Sequence, residues 1–314
     1  MTYHSGSRAI QDRVGVRDLA DHVGRAVGQG IRPVAAAFLE LQPMLIAAAA
    51  APEGGTESSR LAGSGGGSRP DRGVGPGGGR VWASLLTGKP GFVRATGVRQ
   101  ISVVGGLPAG DPLTAALATP GTAVGTIALD PRTRRRMRLN GRIRPTPRGF
   151  AVEADQVFAN CPKYLQKRQT YETVAGRTAG AQRHGTELTP SQREFVEAAD
   201  TFFIATVHPH GADASHRGGN PGFVHVDSPG ELSWLDYPGN AMFLSLGNLT
   251  ADPRAGLLFL DWTTGSVLQL TGTARTEFTP DGERTVRFTL AEAVETPAAS
   301  PLRWSAPAYS SANP

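Results

Sequence analysis

Val81-Trp-Ala-Ser-Leu-Leu-Thr-Gly-Lys-Pro-Gly-Phe-Val93 reappears in altered form as Ala212-Asp-Ala-Ser-His-Arg-Gly-Gly-Asn-Pro-Gly-Phe-Val224. The two stretches are identical at seven of their thirteen positions. The two stretches begin at positions 81 and 212, and the same offset in residue number relates 125–130 to 256–261 and 140–144 to 271–275. Because one offset holds over roughly sixty residues, the chain is predicted to contain two copies of one unit, and its function is expected where the copies meet.

Short strands separated by turn residues recur at regular spacing in both copies. In the second copy the predicted strands cover residues 201–207, 223–226, 231–235, 256–261 and 267–273, with one helix near 242–249. This pattern is typical of antiparallel barrels, whereas the alternating strand and helix of a parallel sheet are missing. The predicted fold class is therefore mainly β with short helices, built from two tandem barrels.

The barrel prediction divides the 314 residues into five parts. Residues 1–34 form an N-terminal helical extension, 35–170 the first barrel, 171–189 a linker, 190–295 the second barrel and 296–314 a loose C-terminal tail. In residues 51–80 of the first barrel, fourteen of thirty residues are Gly or Pro. The strand before this segment, at 45–48, matches residues 203–206. The offset between these two strands is 27 residues larger than the offset that relates the rest of the two copies, which predicts a flexible insertion in a hairpin turn.

The charge balance allows an anionic ligand. The net charge is +5, and seven arginines lie between Arg132 and Arg144. These arginines fit either a solvated hairpin or a contact surface for a phosphate or an acidic partner. No aromatic residues interleave with them, so a nucleic-acid partner is not expected.

Cysteine and hydropathy patterns indicate the cellular setting. Cys161 is the only cysteine, so the chain can form no disulfide of its own, which favours a reducing compartment. The longest apolar run, residues 44–51, is too short to span a bilayer. We therefore expect a cytoplasmic protein with no membrane partner. His208 and His210 flank a proline at a turn, without a carboxylate or cysteine at ligand spacing, so no metal site is predicted.

Residues 236–245 carry the strongest indication of a ligand site. Pro238-Gly239-Asn240 is expected to open a helix, and a helix N-terminus offers free N–H groups to an anion. Arg217, on the strand predicted to face this break, adds a cation, and Ser215 and Ser245 add hydroxyl donors. The alternative is that the glycines of this region form a bulge and that Asn240 only caps the helix.

Three segments of the second copy together resemble a known family: residues 215–224, 236–240 and 246–259. They are similar to the pyridoxamine 5′-phosphate oxidase-related, FMN-binding split-barrel superfamily, in particular to its bacterial flavoproteins of poorly defined substrate. Residues 160–164 are similar to a segment of the same branch. The resemblance covers roughly residues 35–165 and 190–280. It implies two tandem split β-barrels of the pyridoxamine phosphate oxidase type, with a cofactor at the interface between barrels.

The resemblance also implies a set of site residues. The candidate cofactor-binding residues are Ser215, Arg217, Gly219, Pro221, Gly222, Trp234, Asp236, Tyr237, Asn240, Ser245, Asn248 and Lys163. From the first copy, Ser84, Thr87 and Lys89, or Cys161 with Lys163, would complete the site of the second copy. His216 is the candidate general acid. The first copy lacks the Pro-Gly-Asn element and is expected to be a degenerate partner.

Two functions follow from this resemblance. The first is an FMN-dependent oxidoreductase with a small-molecule substrate, not identified by the sequence, and a reduced electron donor. The second is a protein that binds or stores flavin, the deazaflavin F420 or haem without turnover. Superfamily members commonly have a basic residue after the Pro-Gly-Asn element, and Ala241 stands there, which favours the second. The barrels would pair either in a homodimer or as a pseudo-dimer within one chain.

Overall fold

The computed structural model describes residues 3–52, 79–159 and 162–314. The first sheet comprises β1 (Met44–Ala50), β2 (Val81–Thr87), β3 (Val93–Gly97), β4 (Gln100–Val104), β5 (Ala123–Asp130), β6 (Arg135–Thr146) and β7 (Gly149–Ala159). Next come β8 (Tyr171–Thr173) and β9 (Arg183–Gly185). The second sheet comprises β10 (Thr201–His208), β11 (Gly211–Gly218), β12 (Val224–Ser228), β13 (Glu231–Leu235), β14 (Arg254–Leu260), β15 (Val267–Phe278) and β16 (Arg284–Thr296). Last comes β17 (Leu302–Trp304).

Both large sheets have the same topology. Their strand orders are β2-β1-β5-β6-β7-β4-β3 and β11-β10-β14-β15-β16-β13-β12, and the neighbouring strands are antiparallel. Even the irregularities repeat, because β6 is bulged at Asn140/Gly141 and β15 at Thr271/Gly272. The predicted fold class, two antiparallel split barrels in tandem, is confirmed. The predicted insertion between β1 and β2 lies almost wholly outside the described residues.

Short helices cover the barrel ends. They are α1 (Ser5–Val14), α2 (Arg17–Gly24), α3 (Pro33–Glu40), α4 (Thr114–Ala118), α5 (Pro190–Ala198) and α6 (Leu244–Ala251). Pro33 and Pro190 each occupy the first turn of a helix that precedes the first strand of a barrel, where proline costs no hydrogen bond. In the described part of the chain, no helix has the length and apolar character needed to cross a membrane.

The N-terminal extension packs on the second barrel. The Nε2 of His4 lies 2.9 Å from the Oδ1 of Asn248 on α6, and the Nε2 of Gln11 donates to the carbonyl of Met242. A Cβ on Gly6 would lie 2.2 Å from the carbonyl oxygen of Gly247, so α1 and α6 touch through glycines. The extension therefore holds the helix that follows the candidate ligand loop.

The linker and the tail are more ordered than the sequence suggests. In the predicted linker, β9 pairs with β16, and β8 pairs with β17 of the tail. Trp304 in β17 is 4% exposed and meets the ring of Trp262 edge-on, with the ring centroids 5.8 Å apart. The prediction of a loose C-terminal tail is therefore wrong. Burial of aromatic side chains outweighs the Pro, Ala and Ser composition of this segment.

A shared apolar cluster joins the barrels. Met44, Ile46 and Ile127 of the first barrel are buried with Phe203 and Leu258 of the second. The two barrels therefore bury a common core within one chain.

The contact has approximate two-fold symmetry. A Cβ on Gly125 would lie 2.5 Å from the backbone nitrogen of Ala214, and one on Gly256 would lie 2.6 Å from the carbonyl oxygen of Val81. Gly125 and Gly256 are themselves related by the offset of the sequence repeat. Each barrel thus places the corresponding glycine against the corresponding strand of the other barrel, as the subunits of a two-fold dimer do.

Candidate functional site

A cleft opens where the two barrels meet, on the side of the second barrel. Its walls come from β11, the end of β13, the loop to α6, residues 163–164, and β5 and β6 of the first barrel. The cleft encloses about 120 Å³ and is open to solvent at its mouth. Small-molecule sites usually enclose about 300–1,000 Å³, so a ligand of that size would occupy both the enclosed part and the mouth.

The loop between β13 and α6 differs from its predicted shape. Pro238-Gly239-Asn240 does not open the helix, because α6 begins only at Leu244. Between them, Ala241 and Phe243 both have positive φ values, 60° and 51°, which are costly for residues with a side chain. The Oδ1 of Asn240 accepts a hydrogen bond from the backbone N–H of Met242 at 3.2 Å. Asn240 therefore stabilises a tight loop at the mouth instead of capping the helix.

The first barrel contributes arginines to the cleft. Arg138 on β6 is 5% exposed and forms an ion pair with the buried Asp213 of β11. Asp213 also accepts hydrogen bonds from the Nδ2 of Asn140 at 3.0 Å and from the Oγ of Ser245 at 3.4 Å. The contacts of Arg138 and Asn140 with Asp213 cross the interface between the barrels. Asp213 thus anchors a cation of one barrel in the ligand cleft of the other.

Arg136 fixes the protonation of His216. Its Nη1 lies 2.7 Å from the Nδ1 of His216, and a guanidinium can only donate, so this Nδ1 carries no proton. Burial, with help from the charges of Arg136 and Arg217, holds the pKa of His216 well below its usual value. His216 is therefore neutral at physiological pH, with its proton on Nε2.

Arg217 sits in a polar pocket on β11. Its Nη1 donates to the Oγ of Ser215 at 2.8 Å, and its Nη2 lies 3.7 Å from a carboxylate oxygen of Asp236. The same carboxylate pairs with Arg284 at 3.1 Å. Burial lowers the pKa of Arg217, with Asp236 opposing the shift. Because Asp236 is shared between two arginines, it neutralises neither of them fully.

Three buried donor atoms at the cleft lack a hydrogen-bond partner among the described residues. They are the Nε2 of His216, the Nε of Arg138 and the Nε1 of Trp234. All three side chains line the cleft, and each is less than a tenth exposed. An unpaired buried donor is destabilising, and such atoms are rare in folded proteins. Unpaired donors on residues that line one cleft fit a ligand that is rich in hydrogen-bond acceptors.

The structure brings together most of the predicted site residues. Those that line the cleft are Lys163, Ser215, Arg217, Trp234, Asp236, Tyr237, Asn240 and Ser245, together with His216. Four others do not line it: Gly219, Pro221, Gly222 and Asn248. Asn248 points from α6 toward the barrel interior, where its Nδ2 donates to the Oγ1 of Thr206 at 2.9 Å. Gly222 has a φ of 88° and forms the turn before β12.

Three of the site residues predicted from the first copy are not found in the cleft. Ser84, Thr87 and Lys89 are not among the residues lining this cleft, and Cys161 lies outside the described residues. Arg136 and Arg138 take their place. A signal for them was present in the sequence, because arginines at alternate positions of one strand, 136 and 138, point to the same face.

The symmetry-related position in the first barrel is closed. There the carboxylate of Asp111 accepts hydrogen bonds from the Oγ of Ser84 at 2.6 Å, the N–H of Leu113 at 2.9 Å and the Nε2 of Gln269 at 3.3 Å. Asp111 is 8% exposed, and its burial raises its pKa to about 6. The chain itself thus supplies the hydrogen-bond partners of the Asp111 carboxylate at this position.

The fold and the cleft define a protein of two antiparallel barrels with a cationic site at their junction. Residues 188–303 match the family model described as pyridoxamine 5′-phosphate oxidase. This part of the chain, about a third of it, is therefore similar to that family. A comparison with curated proteins finds none that matches the chain.

Solved structures match about a third of this chain. The HupZ protein of Group A Streptococcus is 10% identical in sequence, over 34% of this chain and 98% of its own, with a TM-score of 0.28. A protein from Clostridium acetobutylicum related to general stress protein 26 is 15% identical, over 32% of this chain and 81% of its own, with a TM-score of 0.25. The FAD binding protein of Mycobacterium smegmatis is 12% identical, over 37% and 98%, with a TM-score of 0.26.

Proposed function

We propose that the chain is a flavin-binding protein that holds one FMN in the cleft and acts as an FMN-dependent oxidoreductase. The observation that carries this proposal is the set of three unpaired buried donors, on His216, Arg138 and Trp234, around a single cleft. FMN combines a dianionic phosphate with a flat ring that carries several acceptor atoms. The cleft offers complementary groups to both parts.

The charges of the cleft suit a phosphate. Four cationic side chains line it, Arg136, Arg138, Lys163 and Arg217, against one lining carboxylate, Asp236. Guanidinium groups bind phosphate oxygens through charge-assisted hydrogen bonds. The basic residue that the sequence lacks at Ala241 is thus supplied by β6 of the other barrel. This removes the main argument against FMN.

The neutral imidazole of His216 would donate a hydrogen bond from Nε2 to an acceptor atom of the ring. Bound flavin supplies the redox chemistry, and the protein supplies position and electrostatics. Tyr164 helps to position the loop at the mouth, since its hydroxyl donates to the carbonyl of Pro238 at 3.0 Å. The substrate and the electron donor would approach through this open mouth.

One observation favours a second candidate function, the binding of flavin, F420 or haem without turnover. The pKa of His216 is held so low that this side chain does not act as a proton donor at neutral pH. The candidate general acid of the sequence prediction therefore lacks the imidazolium proton that a general acid transfers. Oxidation of a reduced nicotinamide by the loaded protein separates the two functions.

The first test is the absorption spectrum of the purified protein and of the supernatant after heat release. We expect the two bands of an oxidised flavin and free FMN in the supernatant. Apoprotein would then be titrated with FMN while the quenching of flavin fluorescence is followed. A Soret band, or the absence of any quenching by saturating FMN, would overturn the proposal.

The double variant Arg138→Gln/Asp213→Asn tests the site. It removes the ion pair as a unit and introduces at position 138 the residue type that the other barrel has at Gln269. We expect FMN affinity to fall at least about tenfold, because a hydrogen bond to a charged group contributes about 1.5–3 kcal/mol. Arg144→Gln is the matched control, since it removes a charge on the same strand from an exposed pair with Glu153. Equal FMN affinity in the double variant and the control would contradict the site assignment.

A further inference from the structure

A second cavity, of about 410 Å³, lies between the N-terminal extension and the first barrel. It is bounded by residues 26–38 of the extension and α3, by the β6 and β7 ends at residues 133–137 and 157–159, and by Pro162. Gly28 forms a backbone bridge to Val157 beneath it. The cavity is thus at the mouth of a barrel, where small-molecule sites often occur, and its volume is within their usual range.

The inner wall of the cavity is apolar. It is formed by Phe38 of α3, Met137 of β6, and Val157 and Phe158 of β7. These four side chains are each less than a tenth exposed, and Phe38, Met137 and Val157 belong to the core of the first barrel. A ligand here would rest its apolar body on the open end of that core.

The rim of the cavity is cationic. Four arginines line it, Arg32, Arg134, Arg135 and Arg136, and the lining residues include no carboxylate. Arg135 lies over the ring of Phe38, with its guanidinium carbon 5.3 Å from the ring centroid. Arg134 is held by the carbonyls of Ala308 and Tyr309 in the tail, at 3.1 and 3.2 Å. Arg134 and Arg135 are therefore fixed at the edge of an apolar cavity.

We propose that this cavity is a second ligand site, which binds a small organic anion with an apolar, preferably aromatic, body. The apolar wall would receive the body, and Arg32 and Arg135 would pair with the anionic group. Both arginines are exposed, and within the described residues neither has an ion-pair partner. This site goes beyond the proposed FMN cleft and does not depend on it.

The chemistry of the cavity selects this class of ligand. An inorganic anion would leave the four apolar side chains uncovered, and a neutral hydrocarbon would leave the arginines without a counter-charge. A polynucleotide would not fit into a cavity of about 410 Å³. Arg136 lines both this cavity and the FMN cleft, so the two sites are neighbours separated by one side chain.

Calorimetric titration of the purified chain with naphthalene-2-carboxylate tests the proposal. The uncharged probe naphthalene-2-methanol has the same ring system and serves as the ligand control. We expect saturable binding of the carboxylate with one site per chain, and at least tenfold weaker binding of the alcohol. Absence of saturable carboxylate binding, or equal binding of the two probes, would overturn the proposal.

The variant Arg32→Gln/Arg135→Gln locates the binding. Neither arginine lines the FMN cleft, so loss of carboxylate binding in this variant assigns it to the second cavity. Arg94→Gln/Arg148→Gln removes the same charge from exposed positions outside both cavities. We expect at least a tenfold loss in the first variant and less than a twofold change in the second. The single variants Arg32→Gln and Arg135→Gln replace the first variant if circular dichroism shows it to be unfolded. Unchanged carboxylate binding in the folded cavity variants would place the ligand elsewhere and refute the site.

Discussion

The two symmetry-related positions at the barrel interface are built on corresponding strands but carry different side chains. Ser215 in the open cleft corresponds to Ser84 in the closed position, and the offset of the sequence repeat also relates the pairs around them. Arg138 corresponds to Gln269, Asp213 to Trp82, His216 to Leu85, Arg217 to Leu86 and Trp234 to Val103. Every charged group of the open cleft in this set is replaced by a neutral residue in the closed one.

The closed position is not simply empty of polar groups. The Nε2 of Gln269 donates to the carbonyl of Ala83 at 3.0 Å and lies 2.9 Å from the Oγ of Ser84, so it ties β15 of the second barrel to β2 of the first. Asp111 completes this cluster from the first barrel. In the open cleft, the corresponding strands leave buried donors unpaired. One position holds the barrels together, while the other is prepared for a ligand.

This difference explains why a duplicated chain would need only one working site. A separate homodimer must build both of its interface sites from the same residues, because its two-fold axis repeats every residue. A fused pair is free of this constraint. The closed position can therefore be optimised for cohesion between the barrels, while residues lining the open cleft retain unpaired buried donors.

The largest expected effect tests the symmetry itself. Gly125→Val and Gly256→Val each place a side chain against backbone atoms of the other barrel, at 2.5 and 2.6 Å from the new Cβ. Overpacking against backbone is destabilising, and we expect each variant to lose at least about 3 kcal/mol of unfolding free energy. Urea denaturation would measure both.

Gly106→Val is the matched control for this pair, since a Cβ at Gly106 meets no atom within 4 Å. We expect a change below about 0.5 kcal/mol there, as for most surface substitutions. If one interface glycine tolerated valine as well as Gly106 does, the two halves of the contact would not be equivalent.

The next effect concerns Asp111 and depends on pH. Burial raises the pKa of Asp111 from 3.8 to about 6, so the protonated carboxyl is favoured in the folded state. Its stabilising contribution is complete below about pH 3.8 and is lost as the pH rises through about 6. The loss amounts to about 3 kcal/mol, at 1.36 kcal/mol for each pKa unit.

Asp111→Asn removes this titration. We expect the difference in unfolding free energy between Asp111→Asn and the natural chain to shift by about 2.4 kcal/mol in favour of the variant between pH 4 and pH 8, because part of the contribution is already lost at pH 4. Urea denaturation at both pH values measures the shift. FMN affinity should not change, because Asp111 does not line the open cleft. A constant difference across this pH range would show that Asp111 titrates normally.

The sequence predicted the architecture better than the site. The offset between the copies anticipated two sheets of identical strand order, because repeated sequence repeats its local preferences. The prediction that Asn240 opens α6 was wrong, because the loop continues through Ala241 and Phe243 in left-handed conformations. Neither alanine nor phenylalanine is a residue type that predicts a left-handed backbone conformation. It persists only because the surrounding structure holds the loop.

The arginine run shows a second limit. The run divides between two environments, since Arg144 pairs at the surface with Glu153 while Arg138 is buried against Asp213, and the contact surface for a phosphate stays a prediction. The alternation of β6 predicts which arginines share a face, but only the contact between the barrels decides where that face is buried. Arg138 and Asp213 belong to strands of different barrels, β6 and β11, and no local sequence pattern connects the two.

The smallest expected effect gives the sharpest separation of the two positions, because it compares the same change at corresponding residues. Ser84→Ala removes a donor to the buried Asp111, and we expect a loss of about 1 kcal/mol in unfolding free energy without an effect on FMN affinity. Ser215→Ala removes an acceptor for Arg217, whose Nη1 keeps the carbonyl of His216, and we expect FMN affinity to fall about threefold and the unfolding free energy by about 1 kcal/mol. Fluorescence titration with FMN and urea denaturation on both variants give the four values needed. If Ser84→Ala weakened FMN binding as much as Ser215→Ala does, the closed position would have to communicate with the ligand, and the division of roles between the two barrels would not hold.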